Sequence, residues 1–161
     1  MTGLSIRPAR AADASLVLAL IGELADYEKL LHAVKTSEDD VRALLFAPAP
    51  IAFCEIAELD GAPVGYTLWF YKVSTFEGRR GMHLEDIYVR PAARGAGVGK
   101  AFMASLARRC LAEGLPRLEW EVLDWNTPSI AFYDRLGATS KTELIIRQLS
   151  GTALASLAAA A

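Results

Sequence analysis

The run Arg94-Gly95-Ala96-Gly97-Val98-Gly99-Lys100 is the segment best suited to hold a ligand. Glycines let backbone N–H groups approach an anion closely, and a helical pattern opens at Val98. A helix N-terminus adds positive potential, and Arg94 and Lys100 add charge at the edges. A phosphate or pyrophosphate suits such a loop. A Walker loop does not fit, because position 94 is Arg rather than Gly and position 101 is Ala rather than Ser or Thr. The dinucleotide fingerprint does not fit either, because its third glycine would fall on Lys100. A tight glycine turn feeding a helix, with no ligand, is the alternative.

The second chemical feature lies just before this loop. Glu85 and Asp86 sit side by side in an otherwise apolar stretch, Leu84-Glu85-Asp86-Ile87-Tyr88-Val89. Carboxylates inside a strand are costly to bury without partners. Adjacent strand residues point to opposite faces, so one acid should face a cleft and the other the reverse side, unless a bulge splays the strand. A structural ion pair with Arg79, Arg80 or His83 is the alternative use.

The elements that must position these groups follow from periodicity. A short strand at 5–7 ends at Pro8. Leu16, Val17, Leu20, Ile21, Leu24 and Tyr27 share one helical face. Ser37 can cap a second helix with Glu38, Asp39 and Asp40 in its first turn, and Val41, Leu44 and Leu45 as its apolar stripe. Strand-like runs at 51–59 and 64–73 flank Asp60-Gly61 as a hairpin. A polar loop at 74–81 leads to a strand at 82–89. A helix at 98–113 points Phe102, Leu106, Cys110 and Leu111 inward. A strand at 118–123 alternates Leu118, Trp120 and Val122 against Glu119 and Glu121. Thr127 and Pro128 begin a short helix that Gly137 closes. A last strand is expected at 142–149, then an Ala-rich tail. The fold class is α/β, a mixed sheet with helices on both faces in one domain over 1–150, followed by the tail at 151–161.

Composition narrows the function. Of 161 residues, 53% are hydrophobic and 22% charged, as in ordinary globular chains. Lys and Arg number 17 against 19 Asp and Glu, which disfavours a nucleic-acid binder held by bulk charge. No run approaches a membrane span, and Asp13, Glu23 and Asp26 interrupt any signal-peptide reading of the N-terminus. Cys54 and Cys110 have no metal-ligand spacing and read as small buried hydrophobes in a reducing, cytoplasmic setting.

Arg94, Gly97 and Gly99 fit the Arg-x-x-Gly-x-Gly pyrophosphate loop of the GNAT acetyltransferases. The strand 84–89 and the string Asp124-Trp125-Asn126-Thr127-Pro128-Ser129-Ile130-Ala131-Phe132-Tyr133 resemble the diamine and thialysine branch of that family. Ile6-Arg7-Pro8-Ala9 and Glu23-Leu24-Ala25-Asp26-Tyr27-Glu28 match it too, so the likeness covers about 5 to 138.

The resemblance implies a GNAT acyl-CoA N-acyltransferase fold and transfer of acetyl from acetyl-CoA to a primary amine, by direct attack and without a metal. It implies Glu85 as the base, with Asp86, Tyr27 and Glu28 in amine recognition. It implies Tyr133 as the acid that meets the CoA sulfur. Ile87, Tyr88 and Val89 would pair with the pantetheine arm through their backbone. Gly95, Ala96, Gly97, Val98, Gly99 and Lys100, with Arg94, would hold the pyrophosphate, while Asn126 and Ser129 contact the arm. Structural alternatives stand beside these roles. Tyr133 can be a core tyrosine beside Phe132, Asn126 a turn former, and Glu28 a helix-end acid paired with Lys29 or Arg42. A homodimer acting on a small amine is expected. A protein lysine or N-terminal acetyltransferase, or a non-catalytic acyl-CoA-binding module, are the other classes. Leu144-Ile145-Ile146 lacks an aromatic that polyamine enzymes of the branch often carry, and Arg79 and Arg80 would repel a polycation if near the cleft, which weakens spermidine as acceptor.

Overall fold

The computed structural model describes residues 3–160, which form two compact units, Met1–Glu121 and Val122–Ala161. In the first unit, β1 (Leu4–Pro8), β2 (Phe53–Leu59), β3 (Ala62–Ser74), β4 (Arg79–Val89) and β5 (Leu118–Trp120) form one sheet in that spatial order. The first four strands pair antiparallel, and β5 joins β4 in parallel. The expected hairpin at Asp60-Gly61 is present, with φ of 51° and 80°.

Strand alternation divides the sheet into two apolar faces. Cys54, Ile56, Tyr66 and Tyr88 pack with Ala14, Val17 and Leu20 of α1 (Ala14–Tyr27) and Val41 and Leu45 of α2 (Glu38–Phe46). Ala57, Ile87 and Val89 turn to the opposite face, against Val98 and Phe102 of α3 (Val98–Ala112). Ser37 caps α2, its hydroxyl accepting from the Asp40 amide at 3.2 Å while the Asp40 carboxylate accepts from the Ser37 amide at 2.8 Å. No helix among the described residues is long and apolar enough to cross a membrane.

In α3, Phe102, Leu106 and Cys110 are buried as expected, but Leu111 is 82% exposed. Those three recur every fourth residue, and Leu111 lies a further 100° round the helix. Arg79 and Arg80 belong to β4 rather than to the preceding loop. Arg80 turns to the α3 face, 3.9 Å over the Tyr71 ring and 3.5 Å from Glu113.

The second unit holds α4 (Thr127–Arg135) and α5 (Gly151–Ala158). Asn126 rather than Thr127 caps α4, its side chain accepting from the Ser129 amide at 3.3 Å. Gly137 closes this helix at φ 84°. Two strand expectations fail. β5 stops at Trp120, short of Leu123, and 142–149 forms no strand. The second run has strand-forming residues, yet a strand exists only in a ladder, and no described residue pairs with it. Leu144, Ile145 and Ile146 are accordingly well exposed.

One glycine ties the sheet geometry together. A Cβ on Gly65 of β3 would collide with the Tyr88 carbonyl oxygen of β4. Gly65→Ala should push β4 away and destabilise the protein by about 1–3 kcal/mol, as overpacked sites do. Urea denaturation measures this directly.

Candidate active site

Strand β4 carries the site, and its pairing changes character at Glu85. On the β3 side Leu68 faces Asp86 and Trp69 faces Leu84, so Glu85 is the extra residue of a β-bulge. On the β5 side the parallel ladder runs from Met82–Leu118 to Leu84–Trp120 and ends there. Past the bulge, residues 86–89 keep β3 on one side, and no described strand pairs with them on the other.

The bulge also brings both acids to one face. Asp86 accepts from the Tyr66 hydroxyl at 2.9 Å, and Tyr66 belongs to the α1–α2 core. Glu85 lies 3.8 Å from His83, whose ring packs at 4.9 Å on Phe70, on the margin of that same core. Glu85 has a side chain 56% exposed, while Asp86 is half-buried. Of the alternative ion pairs, the one with His83 is the contact that forms. Arg80 is engaged by Tyr71 and Glu113 on the other face.

Burial pushes the Asp86 carboxyl up to about 6, the charges of Glu85 and Glu28 add to the rise, and the Tyr66 hydrogen bond opposes it. Glu28, at the C-terminal end of α1, is also raised by burial. Three carboxyl groups from β4 and α1 thus converge, which creates a negative region suited to a cationic amine. Arg42, one suggested partner of Glu28, instead pairs with Glu38 at 2.6 Å. Tyr27 presents its ring to the Arg94 guanidinium at 4.8 Å.

The glycine loop lies between β4 and α3. Gly95 and Gly97 have φ of 82° and 84°, a left-handed conformation that L side chains rarely adopt. Gly97 is the N-cap of α3, so the amides that follow it are directed out of the helix end. Ala96 and Lys100 are exposed, Gly99 is half-buried, and the Val98 side chain anchors the helix start in the core. Arg94 donates from Nε to the Val89 carbonyl at 3.0 Å, at the end of the bare edge of β4. The exposed helix start and this edge fit the two ends of a CoA: an anion at one and an amide-bearing arm along the other.

Tyr133, Asn126 and Ser129 belong to α4 and its cap in the second unit. The Tyr133 ring lies 5.2 Å from that of Phe132, and Asn126 serves as the helix cap, so both carry the structural duties that sequence also allowed. Tyr66 and Glu119 are site neighbours that periodicity does not reveal, while His83 is among the partners that the sequence offers for the two acids. They are found through strand register, which pairs His83 with Glu119 and places Leu68 opposite Asp86, two residues along from Tyr66 on the same face.

The Acetyltransferase (GNAT) family model matches residues 20–138. The chain belongs to this family. It is an acetyl-CoA-dependent N-acetyltransferase. It is 41% identical over 151 residues to a thialysine N-epsilon-acetyltransferase of Bos taurus, covering 89% of this chain and 88% of that protein. A Caenorhabditis elegans protein of the same name is 35% identical, covering 81% and 79%. An L-ornithine N5-acetyltransferase of Arabidopsis thaliana is 25% identical, covering 92% and 85%. Among solved structures, an integron cassette protein from the mobile metagenome of V. cholerae shares the fold at TM-score 0.78 and 24% identity, covering 96% and 97%.

The raised Asp86 carboxyl has a stability consequence. The folded protein holds that proton more tightly than the unfolded chain, so the contribution of Asp86 to stability is greatest below about pH 4 and is lost as pH rises through about 6. Asp86→Asn removes the ionisation and keeps an oxygen for Tyr66. It should gain on the order of 2 kcal/mol at pH 8 relative to wild type, with little gain at pH 4. Denaturant midpoints at the two pH values check this.

Proposed function

We propose that this enzyme acetylates the side-chain amine of a small, lysine-like diamino compound of the thialysine type. The observation that carries the reading is the bulge at Glu85, which gathers two carboxylates where β4 loses its partner strand. The names of the similar proteins agree in class, since thialysine and ornithine each carry an α-ammonium and an α-carboxylate beside the side-chain amine. Glu28 and Asp86 are suited to hold that second ammonium, with Tyr27 beside them.

In this reading acetyl-CoA supplies the activated acetyl thioester. The pyrophosphate rests on the amides of residues 95–100 with Arg94 and Lys100 at its edges. Ile87, Tyr88 and Val89 hold the pantetheine arm through backbone groups, helped by Asn126 and Ser129. The Val89 N–H polarises the carbonyl. The acceptor amine is a cation in water, with a pKa near ~10 for a lysine-like group, so it must lose a proton before it can attack directly. Glu85 takes that proton from the solvent-open side of the bulge, directly or through one water. The Tyr133 hydroxyl donates to the departing thiolate. We also propose a homodimer in a reducing cytoplasm, in keeping with the pairing common in the family and with two free buried thiols, Cys54 and Cys110.

Free-thiol release from acetyl-CoA at pH 8 against thialysine, lysine, putrescine, spermidine, a simple aminoalkane and a lysine peptide tests the substrate class. Turnover should be highest on thialysine or lysine. Turnover on the peptide alone would replace this reading with protein acetylation, and CoA binding without turnover would make the chain a binding module. Glu85→Gln and Tyr133→Phe should each lower kcat about a hundredfold, the range of general acid–base catalysis, with acetyl-CoA affinity retained. Unchanged kcat in both variants would remove the proposed roles.

A further inference from the structure

Once Glu85 has taken a proton from the amine, it must release that proton before the next turnover. Its solvent-open side is the side an acceptor amine would occupy. The other side meets His83. The His83 side chain is buried, covered by the Phe70 ring at 4.9 Å. Its Nε2 lies 3.8 Å from Glu85 Oε2, and its Nδ1 lies 4.0 Å from Glu119 Oε1 on β5. Nδ1 is buried and has no hydrogen-bond partner in the protein, although buried polar atoms are rarely left so. Both gaps exceed a direct hydrogen bond, so a turn of a side chain must close each before a proton can cross.

Glu119 is a third exposed, next to Lys72 Nζ at 2.9 Å and Arg117 Nε at 2.9 Å. Burial opposes its ionisation, yet Lys72, Arg117 and His83 hold its carboxyl below the usual range. A buried imidazole therefore stands between the base of the site and a fixed anion at the sheet edge. Its ionic surroundings are Glu85 on its own strand and Glu119 from β5, with Lys72 of β3 and Arg117 behind Glu119.

We propose that His83 is a relay and positioning residue that carries the amine's proton from Glu85 to the sheet edge at Glu119. The proposal rests on the reading of Glu85 as base. The proton passes from Glu85 Oε2 to His83 Nε2 as the Nδ1 proton passes to the Glu119 carboxylate, which releases it to solvent from its exposed side. Glu85 returns to carboxylate, the imidazole returns to neutral with its tautomer exchanged, and a ring turn or reverse exchange through solvent restores it. Glu119 stabilises the imidazolium in passage. The same contacts fix the carboxylate of Glu85, which as a bulge residue lacks a ladder partner on β3.

The test compares wild type, His83→Gln, Glu119→Gln and Glu85→Gln across pH 6–9. It uses saturating acetyl-CoA and the amine of highest turnover, with and without added imidazole, and measures acetyl-CoA affinity in parallel. His83→Gln should lower kcat about tenfold, the low end of a proton-transfer contribution, leave the amine KM within about twofold, and regain rate with imidazole. Glu119→Gln should lose less, in the same direction, and it reports independently should His83→Gln fold poorly. A Glu85→Gln loss with wild-type kcat and pH profile in His83→Gln would overturn the relay alone. Loss in His83→Gln together with lost acetyl-CoA binding, no imidazole rescue and an unaffected Glu119→Gln would make His83 structural. Full activity in Glu85→Gln would remove the base and the relay together.

Discussion

One extra residue in β4 decides where the two acids of this strand lie. Without the bulge at Glu85, strand alternation would send Glu85 and Asp86 to opposite faces. With it, both lie on the α1–α2 face, and the strand bends where its ladder with β5 ends at Leu84–Trp120. A sheet normally tolerates a bare edge poorly, because unpaired N–H and C=O groups seek partners. Here the bare edge of 86–89 sits within the sheet, between a continuing β3 and a departed β5. It runs directly into the glycine loop and the start of α3. A CoA arm that carries its own amides is the natural complement.

The same bend sets the electrostatics. Asp86 is held by Tyr66, pushed up by burial and by the charges of Glu85 and Glu28, while Glu85 stays open to solvent. Neighbouring carboxylates in unlike surroundings can take unlike tasks, one in recognition and one in proton transfer. Three arginines from the surrounding elements are committed elsewhere. Arg80 serves Tyr71 and Glu113, Arg90 forms a forked pair with Glu23, and Arg42 pairs with Glu38. None of these three neutralises the carboxyl groups of Glu85, Asp86 and Glu28.

Much of this organisation is legible in the sequence. The glycine loop, the Ser37 cap, the Asp60-Gly61 hairpin and the adjacent acids are local signals, and local chemistry decides them. What is not legible depends on partners distant in the chain. The string 84–89 reads as an unbroken strand, and the bulge emerges when Leu68 and Trp69 take Asp86 and Leu84 as neighbours. Leu144, Ile145 and Ile146 have strand-forming side chains but no ladder. Leu111 matches an apolar pattern by type, while helical phase places it outside. His83 and Glu119 become neighbours only through the parallel register of β4 and β5.

The central claim is that the bare edge of β4 past the bulge is the seat of the pantetheine arm. Amide hydrogen exchange across 86–89, with and without acetyl-CoA, tests it most directly. Exchange in this segment should slow markedly when acetyl-CoA is bound, together with slowing at the start of α3. Unchanged exchange across 86–89 while the start of α3 is protected would contradict the claim and place the arm elsewhere.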